Sequence, residues 1–514
     1  MMNDITGERV GERGAPFLEC AIGPHPMADG IDRCQGAGAV LSPSGQQNDT
    51  GTYAGAGTRD QRTPEQFRRG LGQPHRVFVL GASGFIGRRV VRLLAAHGCQ
   101  VVAGVRRPET ASALPVSEVY AIDFSAMLST ETWLPFLAGI DTVVNLVGIF
   151  DESVGKNTFV NVQHKAAASL FQACSRIGIR RVIQLSALGA DASADTPFLL
   201  TKHAADEALL ACDVPEGLVL QPSLVYGSDG RSSVLFRALA SLPLIVLPSG
   251  GRQLVQPIHV DDVAAAIVTA VRDLPLTGGV GPGRRVPLVG PAPVSLARYL
   301  ALLRMGMGRG GRLMVVSIPQ RVAMRTAGWL GRRINLPLNA DAMRMLARGN
   351  TASAAAITAL LGHPPRPPEE FIAESERLVL WIGALLTWMP WVLRASVAFL
   401  WIATAIVSFG WYPITDSLAL LGRAGVPETM RPIAVYGAAT LDLIMGVLSV
   451  SPRRPTWLWH AQAALIIGYM LVITVRLPEY WLHPYGPITK NVPILALIWL
   501  LDLLERRRPW TTSR

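Results

Sequence analysis

Residues 77–87 read VFVLGASGFIG. The run 77–80 is apolar and has the length and content of a buried strand. Gly81, Gly84 and Gly87 follow at regular spacing, and an amphipathic stretch opens at Phe85. The pattern predicts a strand, a tight turn and a helix N-terminus. In that frame Gly81 permits the turn, Gly84 lets the backbone approach a pyrophosphate, and Gly87 lets helix and strand pack closely. The backbone around Ser83, Phe85 and Ile86 then presents the N–H groups of the first helical turn to the phosphates. Strand before and helix after are the context that a dinucleotide site requires.

The chain on either side fits the same architecture. Residues 85–97 predict a helix with Gly98 as its stop, and 100–105 a second strand ending in Arg106-Arg107. An acidic residue at this strand end suits the ribose hydroxyls of NAD, whereas a basic one suits the extra phosphate of NADP. Arg106 therefore favours NADP, with NAD the lesser expectation. A third strand is expected over 119–122, followed by Asp123, which either accepts from an adenine amino group or closes a turn. A strong fourth strand over 141–147 ends beside Val147 and Gly148, which allow close approach to a cofactor. A helix over 161–177 and a fifth strand over 181–185, ending at Ser186, complete the alternation. Strand and helix in turn imply an α/β fold with a parallel, doubly wound, Rossmann-type sheet.

GASGFIG, the strand-terminal NLVG, QLSALGA and the later HVDDVA together resemble the extended or atypical short-chain dehydrogenase/reductases. The likeness is greatest to the branch with the NADPH-binding accessory subunit of respiratory complex I and NmrA-like proteins. It covers roughly residues 76–371. It implies a Ser after the fifth strand that polarises a substrate carbonyl, here Ser186. It also implies a Tyr proton donor four residues before a Lys that holds the nicotinamide ribose. The Lys position is Lys202, but the Tyr position is Phe198. Phe cannot donate a proton, and an alkoxide formed by hydride delivery needs a positioned acid. Asn161 matches a water-binding Asn of the family or caps a helix. Pro222 and Ser223 match the backbone beside the nicotinamide amide. Tyr226 reads as packing, and Asp261 and Asp262 as helix caps. Residues 229–233 form a polar loop able to cover a substrate, and 285–361 read as mixed small elements, a substrate-side or capping subdomain.

The rest is bounded by composition. The chain has 514 residues, more than one typical domain, and half of it is hydrophobic. Net charge is +11, with Lys only at Lys156, Lys165, Lys202 and Lys490. No basic stripe interleaved with aromatics is present, so nucleic acid is not an expected partner. The five Cys show no metal-ligand or disulfide spacing, and no metal site is expected. Residues 1–74 are rich in Gly, Ser, Asp, Gln and Arg and read as a disordered extension. The NAD(P)-binding domain is expected over 75–371 and a membrane domain over 372–514.

In that last part, 378–390 is apolar and Trp-containing and suits a membrane surface. Apolar stretches over 391–410, 433–450, 457–475 and 491–504 follow, the last short and extensible towards residue 485. Their Trp- and Tyr-bearing ends suit a four-helix transmembrane bundle. Arg453-Arg454 and the cluster 506–508 belong on the cytoplasmic side, which puts the Rossmann domain there too. This quarter resembles DoxX-like membrane proteins, notably in HPYGPITKN over 483–491. Asp442 and His460 fall inside expected spans, with either a proton- or quinone-related role or a pair that fixes packing. The expectation is a multi-pass inner-membrane protein that binds NADP and acts as an oxidoreductase on a lipid or quinone-like substrate. A catalytically silent NADPH-binding assembly or sensor module is the alternative, because of Phe198. A respiratory or other membrane protein is a further partner the resemblance allows.

Overall fold

The computed structural model describes residues 75–150, 152, 157–272, 284–323, 325, 340–484 and 486–506. The extension over 1–74, Lys156 and the arginines at 507 and 508 lie outside the described residues. Six strands open the chain: β1 (Arg76–Leu80), β2 (Gln100–Val105), β3 (Glu118–Ala121), β4 (Thr142–Asn145), β5 (Arg181–Leu185) and β6 (Glu216–Pro222). The short strands β7 (Val225–Tyr226), β8 (Leu244–Pro248), β9 (Leu254–Val255) and β10 (Ile258–His259) precede β11 (Arg284–Leu288). Two more, β12 (Val294–Ser295) and β13 (Met314–Ile318), follow it. The main sheet has seven parallel strands in the order β11-β6-β5-β4-β1-β2-β3.

Both faces of this sheet are covered, so its central strands are almost wholly apolar. One face carries α1 (Gly87–Ala96), which packs through Val90 and Leu94. The opposite face carries α2 (Thr130–Leu137), α3 (Ala166–Arg176) and α4 (Pro197–Ala211), whose Trp133, Phe171 and Leu209 fill a second core. After α5 (Arg231–Ser241) come α6 (Val260–Arg272), α7 (Leu296–Gly306), α8 (Ala340–Arg348) and α9 (Ala355–Leu361). Helices α6 and α9 join α1 on its face through Ile267, Val271 and Ile357. Strand order reverses between β1 and β4. A crevice opens outside the carboxyl ends of the strands at that switch point, the general ligand position of this architecture.

Three expectations shift. The first helix begins at Gly87 rather than 85, because Phe85 and Ile86 stay in the turn. The helix expected from 161 opens with a π-helical segment, Val160–Lys165, before α3. The stretch 285–361 is not wholly a cap, since β11 pairs in parallel with β6 and extends the main sheet. What remains, with α5 and β8, forms a satellite layer around Tyr226, Tyr299, Leu300 and Leu303.

The C-terminal region holds α10 (Arg377–Ile406), α11 (Ile414–Arg423), α12 (Arg431–Val450), α13 (Leu458–Arg476) and α14 (Asn491–Arg506). The expected surface segment 378–390 and the expected first span are one continuous helix, α10, with Pro390 inside it. Its first half packs on the satellite layer through Leu380, Trp381 and Ala384. There Trp388 Nε1 donates to Ser241 Oγ at 2.9 Å. Among the described residues, three helices have the length and apolar content to cross a bilayer: Glu374–Trp411, Glu428–Val450 and Leu458–Arg476. The fourth, α14, starts at Asn491 and has 16 residues, about 24 Å of helix against a hydrocarbon core of about 30 Å. Val397, Trp401, Met445, Trp459, Ile466 and Leu501 pack the bundle core. Asp442 and His460 do not pair. Asp442 is buried, while His460 lies 2.5 Å from Arg506 and 3.7 Å from Asp502.

Candidate functional site

The turn after β1 is built from backbone. Gly81 sits at φ +77°, a conformation that costs an ordinary residue a Cβ clash. Its N–H donates to Gly104 O at 2.9 Å, and Gly84 N–H returns to Gly81 O at 2.9 Å. A Cβ on Gly87 would overlap the Gly81 carbonyl, so α1 reaches β1 only because that Cβ is missing. The helix enters through Ile86, which offers no side-chain cap, and its first turn has no acidic residue. Orphan N–H groups and an uncompensated positive dipole end suit an anion. Ser83, Phe85 and Ile86 are half-exposed and Gly84 exposed along this lip. These features fit a dinucleotide diphosphate.

A second layer clamps the turn. The Phe85 ring presses on Gly227 and Gly230, where added Cβ atoms would meet it at 2.7 and 3.0 Å. Arg89 donates to Phe85 O at 2.9 Å and to Asp261 at 3.1 Å. Asp229 pairs with Arg89 at 2.8 Å and also with Arg88. The polar loop expected over a substrate is thus tied to the Gly-rich turn. Sequence reasoning did not single out Arg88 and Arg89, although they directly follow the third glycine. Asp261 and Asp262 lie in the first turn of α6 rather than before it. Asp262 accepts the Arg366 N–H at 2.8 Å, which fixes the returning chain.

The remaining site residues line the strand ends. Arg106 is exposed at the end of β2. Asp123 Oδ1 accepts from Ser125 N and Oγ at 3.1 and 2.8 Å, so this carboxylate closes a turn. Val147 N–H is held by Asn145 Oδ1 at 3.2 Å. Lys202, 4% exposed, donates from Nζ to Leu185 O at 2.9 Å and Val147 O at 3.2 Å. It therefore ties the ends of β4 and β5 together, and a Cβ on Gly148 would stand 3.3 Å from its Nζ. Pro222 and Ser223 lie beyond β6. Pro222 O accepts from Leu188 N, and Ser223 Oγ donates to Gln256 O at 2.5 Å.

The chemistry of the cleft differs from what the resemblance implies. The Ser186 hydroxyl is engaged within the protein: Oγ donates to buried Asp206 Oδ2 at 2.6 Å. Gln221 Nε2 reaches the same oxygen at 3.3 Å. Asp206 stands one helical turn after Lys202 on α4, on the same face. Burial pushes its carboxyl up to about 6, against the Ser186 hydrogen bond and the Lys202 charge. The Phe198 ring is buried, stacked on Phe150 at 5.2 Å and set edge-on to Phe159 at 6.0 Å. Phe150 is 70% exposed, so the aromatic wall continues outward from the Tyr-equivalent position.

Burial also pushes the Lys202 ammonium down to about 8, and the Asp206 charge opposes that shift. Only the cation strengthens a hydrogen bond to ribose hydroxyls. Affinity for NAD(P)H is expected to fall as pH rises through about 8. Between about 8 and the ordinary 10.5 the unfolded chain holds more of this proton than the native one. The Lys202 contribution to stability therefore rises with pH across the same window. Nucleotide titrations and thermal midpoints from pH 7 to pH 9.5, roughly spanning the shift, should move in opposite directions. A Lys202→Met chain should lose both slopes.

Comparison with known proteins finds matches in two separate parts of the chain. Residues 77–277 match the NAD dependent epimerase/dehydratase family and residues 398–499 the DoxX-like family. The front domain is an NAD(P)-binding Rossmann-type fold, and the C-terminal part is a DoxX-like helical membrane domain. The NADH dehydrogenase [ubiquinone] 1 alpha subcomplex subunit 9 of Arabidopsis thaliana is 34% identical over 41% of this chain and 53% of its own length. Ceramide reductase of Caulobacter vibrioides is 30% identical over 38% of this chain and 61% of its own length. The chain spans about half the length of the first curated relatives it matches. An NADPH-dependent quinone oxidoreductase from Escherichia coli, solved with NADPH, aligns at 18% identity and TM-score 0.46. That alignment covers 57% of this chain and 97% of that one.

Proposed function

We propose that this chain is a membrane-anchored NADPH-dependent oxidoreductase whose acceptor is quinone-like. The domain over 75–371 holds the nucleotide, and the domain over 372–514 anchors it with the Rossmann part on the cytoplasmic side. The observation that carries the reading is the wall of Phe150, Phe159 and Phe198 beside Lys202. A reduced nicotinamide, when bound, supplies a hydride. The turn over Gly81–Gly87 binds the diphosphate, Arg106 attracts the ribose phosphate, and Lys202 orients the ribose. Pro222 and Ser223 set the backbone beside the carboxamide.

Acceptor chemistry then follows from what Phe198 lacks. A ketone that takes a hydride becomes an alkoxide, whose conjugate acid is about as weak as water. A quinone becomes a phenolate, whose conjugate acid titrates near 10, as a phenol does. The first needs an acid in the site, whereas the second takes its proton from solvent. The Phe150 ring, 70% exposed and backed by buried Phe198, offers a flat apolar face to an aromatic acceptor.

A second reading has its own observation. The Ser186 proton is committed to Asp206, which suits a silent nucleotide-holding module. Full-length protein given NADPH and a short-chain quinone separates the two. We expect NADPH oxidation with the quinone and roughly 100-fold less with a matched ketone, the scale of a lost general acid. We expect NADPH to bind more tightly than NADH, and Arg106→Asp to remove the preference. Tight NADPH binding with no oxidation across quinones would establish the silent module instead.

A further inference from the structure

Residues 274–340 contain ten arginines and no aspartate or glutamate. This acid-free stretch includes β13, which pairs in parallel with β8 in a two-stranded ribbon on the satellite layer. Side chains alternate along a strand. The inner set, Ile245, Leu247 and Val315, packs against Tyr299, Leu300 and Leu303. The outer set is apolar too: Leu244 is 47% exposed, Val246 53%, Met314 64% and Val316 43%. Register places Met314 opposite Leu244 and Val316 opposite Val246, so the four make one patch. Exposed Arg309 and Arg312 precede the ribbon strand β13, and exposed Arg321 and Arg325 follow it.

The ribbon starts beside α10. Trp388 on α10 bonds Ser241, three residues before Leu244. Trp381 of the same helix lies under Arg309 at 4.8 Å. Trp388 stands six residues before Arg394, about 9 Å along the helix. At that end of the bundle Trp391 and Trp457 are exposed beside Arg453 and Arg454, the aromatic and basic signature of a cytoplasmic headgroup layer. The early part of α10 exposes its own apolar stripe, Leu378, Val379, Ile382 and Leu386. Apolar side chains rimmed by arginine, next to a membrane helix, fit anionic lipid by charge and by hydrophobicity.

We propose that the outer face of the β8–β13 ribbon, with Arg309 and Arg312, is a second membrane contact that seats the α/β domain on an anionic phospholipid surface. It rests on the membrane reading of α10 to α14. The face is a lipid-binding site separate from the spans, and it holds the nucleotide cleft over the bilayer from which an apolar acceptor arrives.

Hydrogen exchange on the full-length protein tests it, in nanodiscs of phosphatidylcholine alone and with phosphatidylglycerol added. Peptides over 242–248 and 309–318 are expected to exchange several-fold more slowly with the anionic lipid. Arg312→Glu should reduce that lipid-dependent slowing by at least roughly fivefold, the worth of one arginine at such a surface. Val316→Glu should abolish it in the 242–248 peptide. Unchanged NADPH binding by both variants reports an intact fold. Equal exchange in the two lipids overturns the proposal. So does protection that appears in detergent and grows with protein concentration, which identifies a second copy as the occupant. Release of the chain from membranes by alkaline carbonate overturns instead the membrane reading on which the proposal stands.

Discussion

Gly87→Ala is expected to abolish NAD(P)H binding and to destabilise the α/β domain by about 3 kcal/mol, the upper range for overpacking. The added Cβ lands on the carbonyls of Gly81 and Ala82, and neither can move freely. Gly81 O accepts the Gly84 N–H, and Gly81 N–H is bound to β2. Relief requires α1 to lift away from β1, which removes Val90 and Leu94 from the core and turns the helix N-terminus off the diphosphate. Nucleotide fluorescence titration and a thermal midpoint check both halves. Gly98→Ala is the control. Gly98, unlike Gly87, sits at positive φ, and an added Cβ would meet no atom within 4 Å, so the change should cost stability without touching affinity.

Glu505→Ala carries the second large effect, in the bundle. Arg394 on α10 is almost fully buried and pairs with Glu505 on α14. Glu505 also accepts from Trp459 Nε1 at 2.9 Å and lies 3.4 Å from Arg454. Deleting the carboxylate leaves a guanidinium buried with its main counter-charge gone. Breaking such a pair from one side costs about 3–5 kcal/mol. The bundle is therefore expected to unfold at markedly lower temperature in detergent. Replacing both partners, Arg394→Leu with Glu505→Leu, should recover most of the loss, because a packed apolar pair carries no desolvation cost. A double variant as unstable as the single one would show that the ion pair itself supplies the stability.

What could be read beforehand was local. The five residues of β5, RVIQL, stand at the bounds their apolar run implies, because a strand buried on both faces needs no distant partner to be recognised. The turn after β1 is legible for a similar reason: glycine spacing encodes backbone geometry directly. The boundary expected between 390 and 391 is not there, although a proline stands at it. Proline usually breaks a helix, yet α10 runs through it, since packing of Trp381 and Trp388 on one side and Val397 and Trp401 on the other holds both halves in line. The Ser186–Asp206 bond was illegible because its partners are 20 residues apart on a strand end and a helix face. Only the docking of α4 on β5 brings them together. The Asp229 clamp on Arg88 and Arg89 likewise needs the return of a loop from far along the chain.

Because α10 is unbroken and gripped at both ends, it behaves as a mast rather than a tether. Each residue in it sets about 1.5 Å of elevation and about 100° of azimuth for everything mounted above. On the proposed membrane reading, the nucleotide cleft would have a fixed altitude and compass direction over the lipid, and the acceptor would be the party that travels.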